Sequence, residues 1–220
     1  FAPLARVSWV NNQPPGAEPK GSAFSNPLFG LTFMHPMPVG WRASIFMATA
    51  LPLGQGGGDK PDAGQAKAIS RGVPARSSFD NAMYAVNFTT AIVGAAFARV
   101  DRNVTAQAEV TVLRLFRSRG PATEDKERTN MMLGLHVGRF VRPDFSIGAD
   151  VRYQRWLTDA APVRRDGSAR ANVTVAIGPR AHFKVGGHWF RPGIAYATST
   201  DRPFSTQNYN MLKLDLPLVF

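Results

Sequence analysis

Hydrophobic and polar residues alternate with a period of two along most of this 220-residue chain. The C-terminal segment shows the pattern most clearly, because one of its faces is apolar throughout. That face consists of Leu212, Leu214, Leu216, Leu218 and Phe220, whereas the other face mixes charged and apolar side chains. Alternation of this kind predicts a β-strand with one apolar face.

In several segments the alternation continues for longer than a globular strand usually does. Between 170 and 185, apolar residues such as Val173, Val175 and Ile177 alternate with small or polar residues such as Thr174 and Arg180. Strands of globular proteins are about five or six residues long, whereas a tilted strand that crosses a bilayer needs about nine to eleven. The length of these segments therefore favours strands that span a membrane.

The connections between the alternating segments are sorted by length. Short turns are indicated at 101–103, 142–144 and 185–188, and long polar loops at 54–81, 117–129, 158–169 and 199–209. In outer-membrane barrels the short turns lie on the periplasmic side and the long loops lie outside. The order of the connections therefore favours this class of fold over a soluble sandwich.

We predict an all-β fold, a closed antiparallel up-and-down transmembrane β-barrel of about ten strands, as a single domain over residues 1–220. The predicted strands are 4–10, 28–35, 40–53, 83–100, 104–116, 130–141, 145–157, 170–185, 188–198 and 211–220. The first two patterns are weak, so about eight strands are an alternative, and about twelve if an N-terminal hairpin is missing from this sequence. Both chain ends then face the periplasm.

Three prolines lie inside predicted strands. Pro179, Pro192 and Pro217 each remove one backbone donor from the hydrogen-bonded ladder. Because proline within sheets is confined to edges, strand starts and bulges, we expect bulges at these positions.

Aromatic residues fall toward both ends of the predicted strands. Trp41, Trp189 and Phe190 lie near the short turns, and Tyr153, Trp156 and Tyr196 lie toward the long loops. Two such groups predict the aromatic girdles that flank the apolar band of a membrane barrel.

Composition narrows the class of protein. Hydrophobic residues make up 44% of the chain and charged residues 19%, which argues against a disordered chain and against a helical membrane bundle. The chain contains no cysteine, so disulfides and thiolate metal sites are excluded. Because the sequence begins without a leader, we interpret it as a processed mature protein or a portion of one.

The formal net charge is +11, which raises the question of nucleic-acid binding. The basic residues do not cluster, however. They are scattered in the predicted loops, as are Lys60 and Arg119, or stand at alternate strand positions, as do Arg152 and Arg180. We therefore expect no nucleic-acid partner.

The C-terminal alternation that ends at Phe220 resembles the terminal strand of bacterial outer-membrane β-barrel proteins. The resemblance implies that Leu212, Leu214, Leu216, Leu218 and Phe220 are the signal that the barrel-assembly machinery reads. It also implies an outer-membrane location, with the lipid bilayer and lipopolysaccharide as partners. The segment 50–58 is similar to a strand-to-loop passage in small barrels described as transporters near aromatic-degradation pathways, and no substrate is carried over from it.

The inward face of the predicted barrel carries more basic than acidic groups. The solute-facing polar candidates are Arg42, Glu109, His136, Asp150, Arg152, Arg180, His182, Lys184, Arg191, Lys213 and Asp215. Such a lining would concentrate small anionic solutes, and small inward residues such as Gly134, Gly148 and Ala176 would leave volume unfilled. The prediction is a narrow pore or small-solute transporter.

Two alternatives remain open at this stage. The inward bases would pair with Glu109, Asp150 and Asp215 in a plugged interior, and the protein would then be structural or bind partners through its extracellular loops. A barrel-embedded hydrolase would use Ser146, Asp150, His136 and His182. No phosphate loop, metal-ligand spacing or nucleotide fingerprint is present in the sequence, so we predict neither an enzyme nor a cofactor or metal site.

Overall fold

Ten antiparallel strands form the main sheet, as seen in a computed structural model that describes residues 2–219 apart from 15, 73–79, 102, 124, 203–204, 206–209 and 216–217. In hydrogen-bonded order the strands are β1 (Ala2–Arg6), β4 (Leu28–Pro36), β5 (Trp41–Ala50), β6 (Phe88–Val100), β7 (Val104–Arg117), β8 (Glu127–Arg142), β9 (Phe145–Trp156), β10 (Ala171–Ala181), β13 (Gly193–Ser199) and β14 (Asn210–Asp215).

The remaining elements are small. A hairpin of β2 (Trp9–Asn12) and β3 (Gly21–Phe24) lies between β1 and β4 in the sequence. A separate three-stranded sheet consists of β11 (Phe183–Val185), β12 (His188–Phe190) and β15 (Leu218–Val219). The helices of the described chain are α1 (Ala63–Gly72), α2 (Asp80–Met83) and α3 (Ala161–Arg165), and 3₁₀ turns occupy Pro38–Gly40 and Gly167–Arg170. Helices α1 and α3 lie in connections predicted to be long loops, and α2 lies at the junction of the predicted loop 54–81 and the predicted strand 83–100.

The short turns hold consecutive strands in register. The turn between β6 and β7 is closed by Asp101, whose Oδ1 accepts the backbone N–H groups of Asn103 and Val104 at 2.8 and 2.9 Å. The bond from Asn103, followed by that from Val104, lowers the pKa of the Asp101 carboxyl. The pairing then runs without a shift from Val100 opposite Thr105 to Phe88 opposite Arg117.

The all-β, antiparallel part of the sequence prediction is confirmed, but the closed barrel is wrong. The strand order is open: among the described residues, β1 pairs with β4 and β14 pairs with β13, and no ladder joins β1 to β14. Closure depends on strand tilt and stagger around the whole sheet, which the alternation of residues does not report. The two end strands, of 5 and 6 residues, are also shorter than the alternation suggested.

Several predicted strands are interrupted in the structure. The segment 83–100 begins as helix α2, and strand β6 starts only at Phe88. The predicted strands 170–185 and 188–198 are each divided, because their adjoining ends leave the main sheet to form β11 and β12. The segment 211–220 is likewise divided between β14 and β15.

At the two prolines that the structure describes, Pro179 and Pro192, the expected bulges are not found. Strand β10 passes through Pro179 with an unshifted register to β9 and β13, and its ladder to β13 skips only Gly178 and Pro179. Pro192 lies in the break between β12 and β13, and Pro217 lies outside the described residues. The recorded irregularity lies instead between Phe140 and Arg142, near the turn that joins β8 to β9.

The two faces of the main sheet differ in what covers them. One face, which we call the outer face, presents exposed apolar side chains such as Ile45 (57% exposed), Leu135 (59%) and Ile177 (57%). The opposite face, the polar face, carries Glu109 and Asp150 near its middle and an apolar cluster toward the long connections. Because that cluster joins residues of six strands with residues of α2 and α3, the sheet curves around its polar face.

Candidate functional site

A charged cluster lies near the middle of the polar face, on three neighbouring strands. The register places His136 of β8 opposite Asp150 of β9, and Gly134 opposite Arg152. Glu109 of β7 lies opposite Gly134 from the other side. A Cβ atom at Gly134 would lie at ordinary contact distance from both neighbours, 3.6 Å from Arg152 Nη1 and 3.7 Å from Cβ of Glu109, so both side chains lie beside this glycine.

Ion pairs and hydrogen bonds connect these side chains. His136 Nδ1 lies 3.0 Å from Asp150 Oδ1, and Arg152 lies 4.0 Å from both Glu109 Oε1 and Asp150 Oδ1. The Thr111 hydroxyl donates to Glu109 at 3.3 Å. Arg152 thus lies between two carboxylates, those of Glu109 and Asp150.

The cleft between these side chains is small. It offers about 10 Å³, which is about the space that one water molecule needs. The side chains of Glu109 and Arg152 remain 18% and 28% exposed. The cluster therefore has access to solvent, but it does not surround a wide channel.

A second group of predicted residues lies toward the short turns. Arg180 Nη1 donates to the backbone oxygen of Arg191 at 2.8 Å, and Ser146 Oγ lies 2.7 Å from His182 Nε2. His182 and Arg191 lie in the segments that link the main sheet to the small sheet. Burial, followed by the cations of Arg191 and Arg180, lowers the pKa of His182, which favours a neutral imidazole.

The hydrolase residues are divided between these two groups. Ser146 is bonded to His182, whereas His136 is paired with Asp150. The serine and the aspartate therefore contact different histidines. The four residues do not form one hydrogen-bonded chain of nucleophile, base and acid.

The other predicted residues are placed as follows. Lys184 lies in β11 with its Nζ 5.3 Å from the centre of the Trp189 ring, away from the charged cluster. Leu212 and Leu214 of the assembly signal are exposed, at 74% and 63%. The side chains of Lys213, Asp215 and Leu218, and all of Leu216 and Phe220, fall outside what the structure describes.

The apolar cluster toward the long connections was not foreseen. It packs Phe88, Leu113 and Leu115 of the strands against Met83 of α2 and Val163 of α3. Trp156, which we expected in an aromatic girdle, belongs to this cluster and is 9% exposed. Trp156 lies an even number of positions from Asp150 and Arg152 on β9, so the alternation already indicated that its side chain faces the polar side.

A hydrogen-bond network holds the connection 51–87 over this end of the sheet. The Asn26 amide donates to the backbone oxygens of Ala85 and Phe88 at 2.9 and 3.2 Å, and its oxygen accepts from Gly54 N at 3.0 Å. Arg119 donates to the backbone oxygens of Val86 and Gly54. The described parts of this connection therefore lie over the polar face at this end.

Comparisons with protein-family models, with curated proteins and with solved structures found no match for this chain. Within the described ranges, no group of three or more His, Asp or Glu side chains is placed to hold a metal ion. In the same part of the chain, none of the helices has the length and apolar character needed to cross a membrane.

Proposed function

We propose that this protein is an integral component of a bacterial outer membrane that carries small solutes along a narrow route on its polar face. The observation that supports the membrane location most strongly is the outer face. Large apolar side chains are exposed on it from Phe29 in β4 to Leu214 in β14, and a patch of this extent is rare on a soluble monomer.

Hydrocarbon is the occupant that best fits the outer face. The exposed residues follow strands of up to 16 residues, which is long enough to cross a bilayer at a tilt. Aromatic side chains gather where the strands meet the short turns: Trp41 stacks on Phe97 at 4.6 Å, and Phe183 contacts Phe190 edge to face at 5.3 Å. Aromatic residues of this kind favour the boundary between lipid and water.

A membrane location also has a consequence for β1 and β14, the two end strands of the main sheet. Unpaired backbone groups are costly in hydrocarbon, so the outer edges of β1 and β14 must be covered when the protein is in a bilayer. With the short turns on the periplasmic side, both chain ends point toward the periplasm, because β1 begins and β14 ends toward that edge of the sheet.

The charged cluster is the narrow part of the proposed route. Its cleft holds about one water molecule, so the expected conductance is far below that of an open aqueous porin. Glu109 and Asp150 face Arg152 there, and charges of both signs in a constriction govern which ions pass.

Reconstitution into liposomes tests the location and the route together. The protein should remain with the vesicles during alkaline carbonate extraction and should give small conductance steps in planar bilayers. Glu109→Gln should shift the reversal potential toward anions, because the charge of Arg152 then has less compensation. Glu127→Gln, which removes the partner of Arg114 outside the cluster, is the control and should leave the reversal potential unchanged.

A soluble, monomeric protein without detergent would refute the membrane location. Vesicle insertion without conductance or solute flux would instead refute the route and leave the second candidate function, a filled barrier that acts through its long connections. The apolar cluster and the Asn26 network favour that candidate, since they cover the polar face at the long-connection end.

A further inference from the structure

Three arginines converge at the short-turn end of the polar face, away from the charged cluster already described. Arg180 lies near the end of β10, and its Nη1 donates to the backbone oxygen of Arg191 at 2.8 Å. Arg42, at the start of β5, lies within electrostatic range of Arg191. Since β5 and β10 are far apart in the strand order, the curvature of the sheet brings these cations together.

Local packing supports this arrangement. The link that carries Arg191 is held by the bond from Ala181 N to Pro192 O at 2.9 Å, and the Arg191 guanidinium lies 5.5 Å from the centre of the Trp189 ring. A side chain at Gly193 would stand 3.3 Å from Cζ of Arg180, so the glycine gives this guanidinium its place against the backbone.

The cations of this group affect one another. Burial, followed by the charges of Arg42 and Arg180, lowers the pKa of Arg191. The Nε atom of Arg191 is buried and has no hydrogen-bond partner among the described residues. A buried donor on a guanidinium calls for an acceptor, and an anion would supply one while reducing the repulsion.

The residues in register with Arg180 are Gly193 of β13 and Ser146 of β9. The Ser146 hydroxyl and the neutral His182 add polar groups beside Arg180, because Ser146 is in register with it.

We propose that Arg180 and Arg191 form a binding site for a small oxyanion, such as a phosphate or a carboxylate. Guanidinium groups bind both through paired N–H donors. This inference rests on the proposed function, because it names the class of solute that the polar face receives at its short-turn end. The charged cluster farther along the face would then set which anions move on.

Binding of inorganic phosphate and of acetate to the full chain in neutral phosphatidylcholine nanodiscs tests the site by titration calorimetry. Arg191→Gln and Arg180→Gln should each weaken binding at least about tenfold, the effect of losing one charge-assisted hydrogen bond. Arg191→Lys should give an intermediate affinity, since the charge stays and the paired donors are lost.

Arg139→Gln is the matched control. Arg139 lies near the same end of the sheet, on β8, but it is exposed and shares the outer face with Leu135 and Val137. Its loss should therefore leave the affinity unchanged. Equal dissociation constants for the wild type and Arg191→Gln, or no binding by the wild type, would overturn the proposal. Circular dichroism of each variant identifies a loss of fold, and the intermediate affinity expected of Arg191→Lys is a result that unfolding does not mimic.

Nanodiscs with phosphatidylglycerol separate a free anion from a lipid headgroup. A site for a free solute keeps its phosphate affinity in these discs, whereas occupation by the lipid headgroup lowers it several-fold and overturns the assignment to a solute. Binding is measured without solute flux or vesicle insertion. Failure of the anion site therefore remains distinct from failure of the membrane location.

Discussion

The outer face and the polar face of the main sheet reverse the distribution of residues seen in a water-soluble protein. On the outer face Leu135 and Leu212 are exposed, at 59% and 74%, whereas on the polar face Thr111 and Asn130 are fully buried. Soluble proteins bury large apolar residues and expose polar ones. The comparison shows that the protein's own connections cover one end of its polar face, whereas the described connections leave large apolar side chains of its outer face exposed.

The largest expected difference between the faces concerns stability. Phe88→Ala opens the apolar cluster on the polar face, where Phe88 is 2% exposed, and should lower the free energy of unfolding by about 3–5 kcal/mol. Phe33→Ala, on the outer face where the ring is 58% exposed, should cost much less in detergent micelles. Urea titration of both variants measures the difference, and equal losses would contradict the assignment of the core to the polar face.

A charge placed on each face tests their surroundings. Leu135→Arg should destabilise the protein in bilayers by about 2–4 kcal/mol, the cost of arginine on a lipid-facing strand near the midplane. Gln107→Arg, beside the carboxylate of Glu109 on the polar face, should be tolerated. If Leu135→Arg changes the unfolding free energy by less than about 0.5 kcal/mol, as at an ordinary water-exposed position, the outer face does not meet lipid.

A smaller effect is expected where α3 covers the polar face. Asp125 accepts the backbone N–H of Ala161 at 2.6 Å and pairs with Arg164 at 2.7 Å. Burial raises the pKa of Asp125, but the bonds from Ala161 and Arg164 outweigh it, so the pKa is lowered from 3.8. Asp125→Asn should therefore cost about 1 kcal/mol at neutral pH.

The pH dependence of this effect has a defined sign. A carboxyl with a lower pKa in the folded state stabilises the protein above its unfolded pKa, and this contribution is lost as the pH falls below 3.8 through the folded pKa. The difference between wild type and Asp125→Asn should vanish over that range. Asp159→Asn, at an aspartate whose side chain is 65% exposed, should show little difference at any pH.

The alternation along the chain was sufficient to predict which residues share a face. His136 and Asp150 were assigned to one face, and the register places them opposite each other at 3.0 Å. The alternation does not report which strands meet at the ends of the sheet, so closure was predicted wrongly. It also does not distinguish a short helix from a strand in an apolar segment, which is why Met83, the last residue of α2, was assigned to the strand 83–100.

The grouping of the charges was harder to predict. Arg152 and Arg180 both stand at polar-face positions, yet Arg152 faces two carboxylates while Arg180 lies with Arg191. Which group each arginine joins depends on the curvature of the sheet and on the break at Pro192. The alternation of residues in the sequence reports neither of these features. The prediction of a lining with more basic than acidic groups therefore described the sum of the charges and not their positions.

The central claim is that the outer face lies against hydrocarbon, and spin labelling tests it most directly. The chain contains no cysteine, so single cysteines at Leu135, Val151, His136 and Asp150 can each carry a nitroxide in the reconstituted protein. The account predicts that the labels at 135 and 151 collide mainly with oxygen dissolved in lipid, and those at 136 and 150 with a water-soluble nickel complex. Equal access of the nickel complex to all four positions would contradict it.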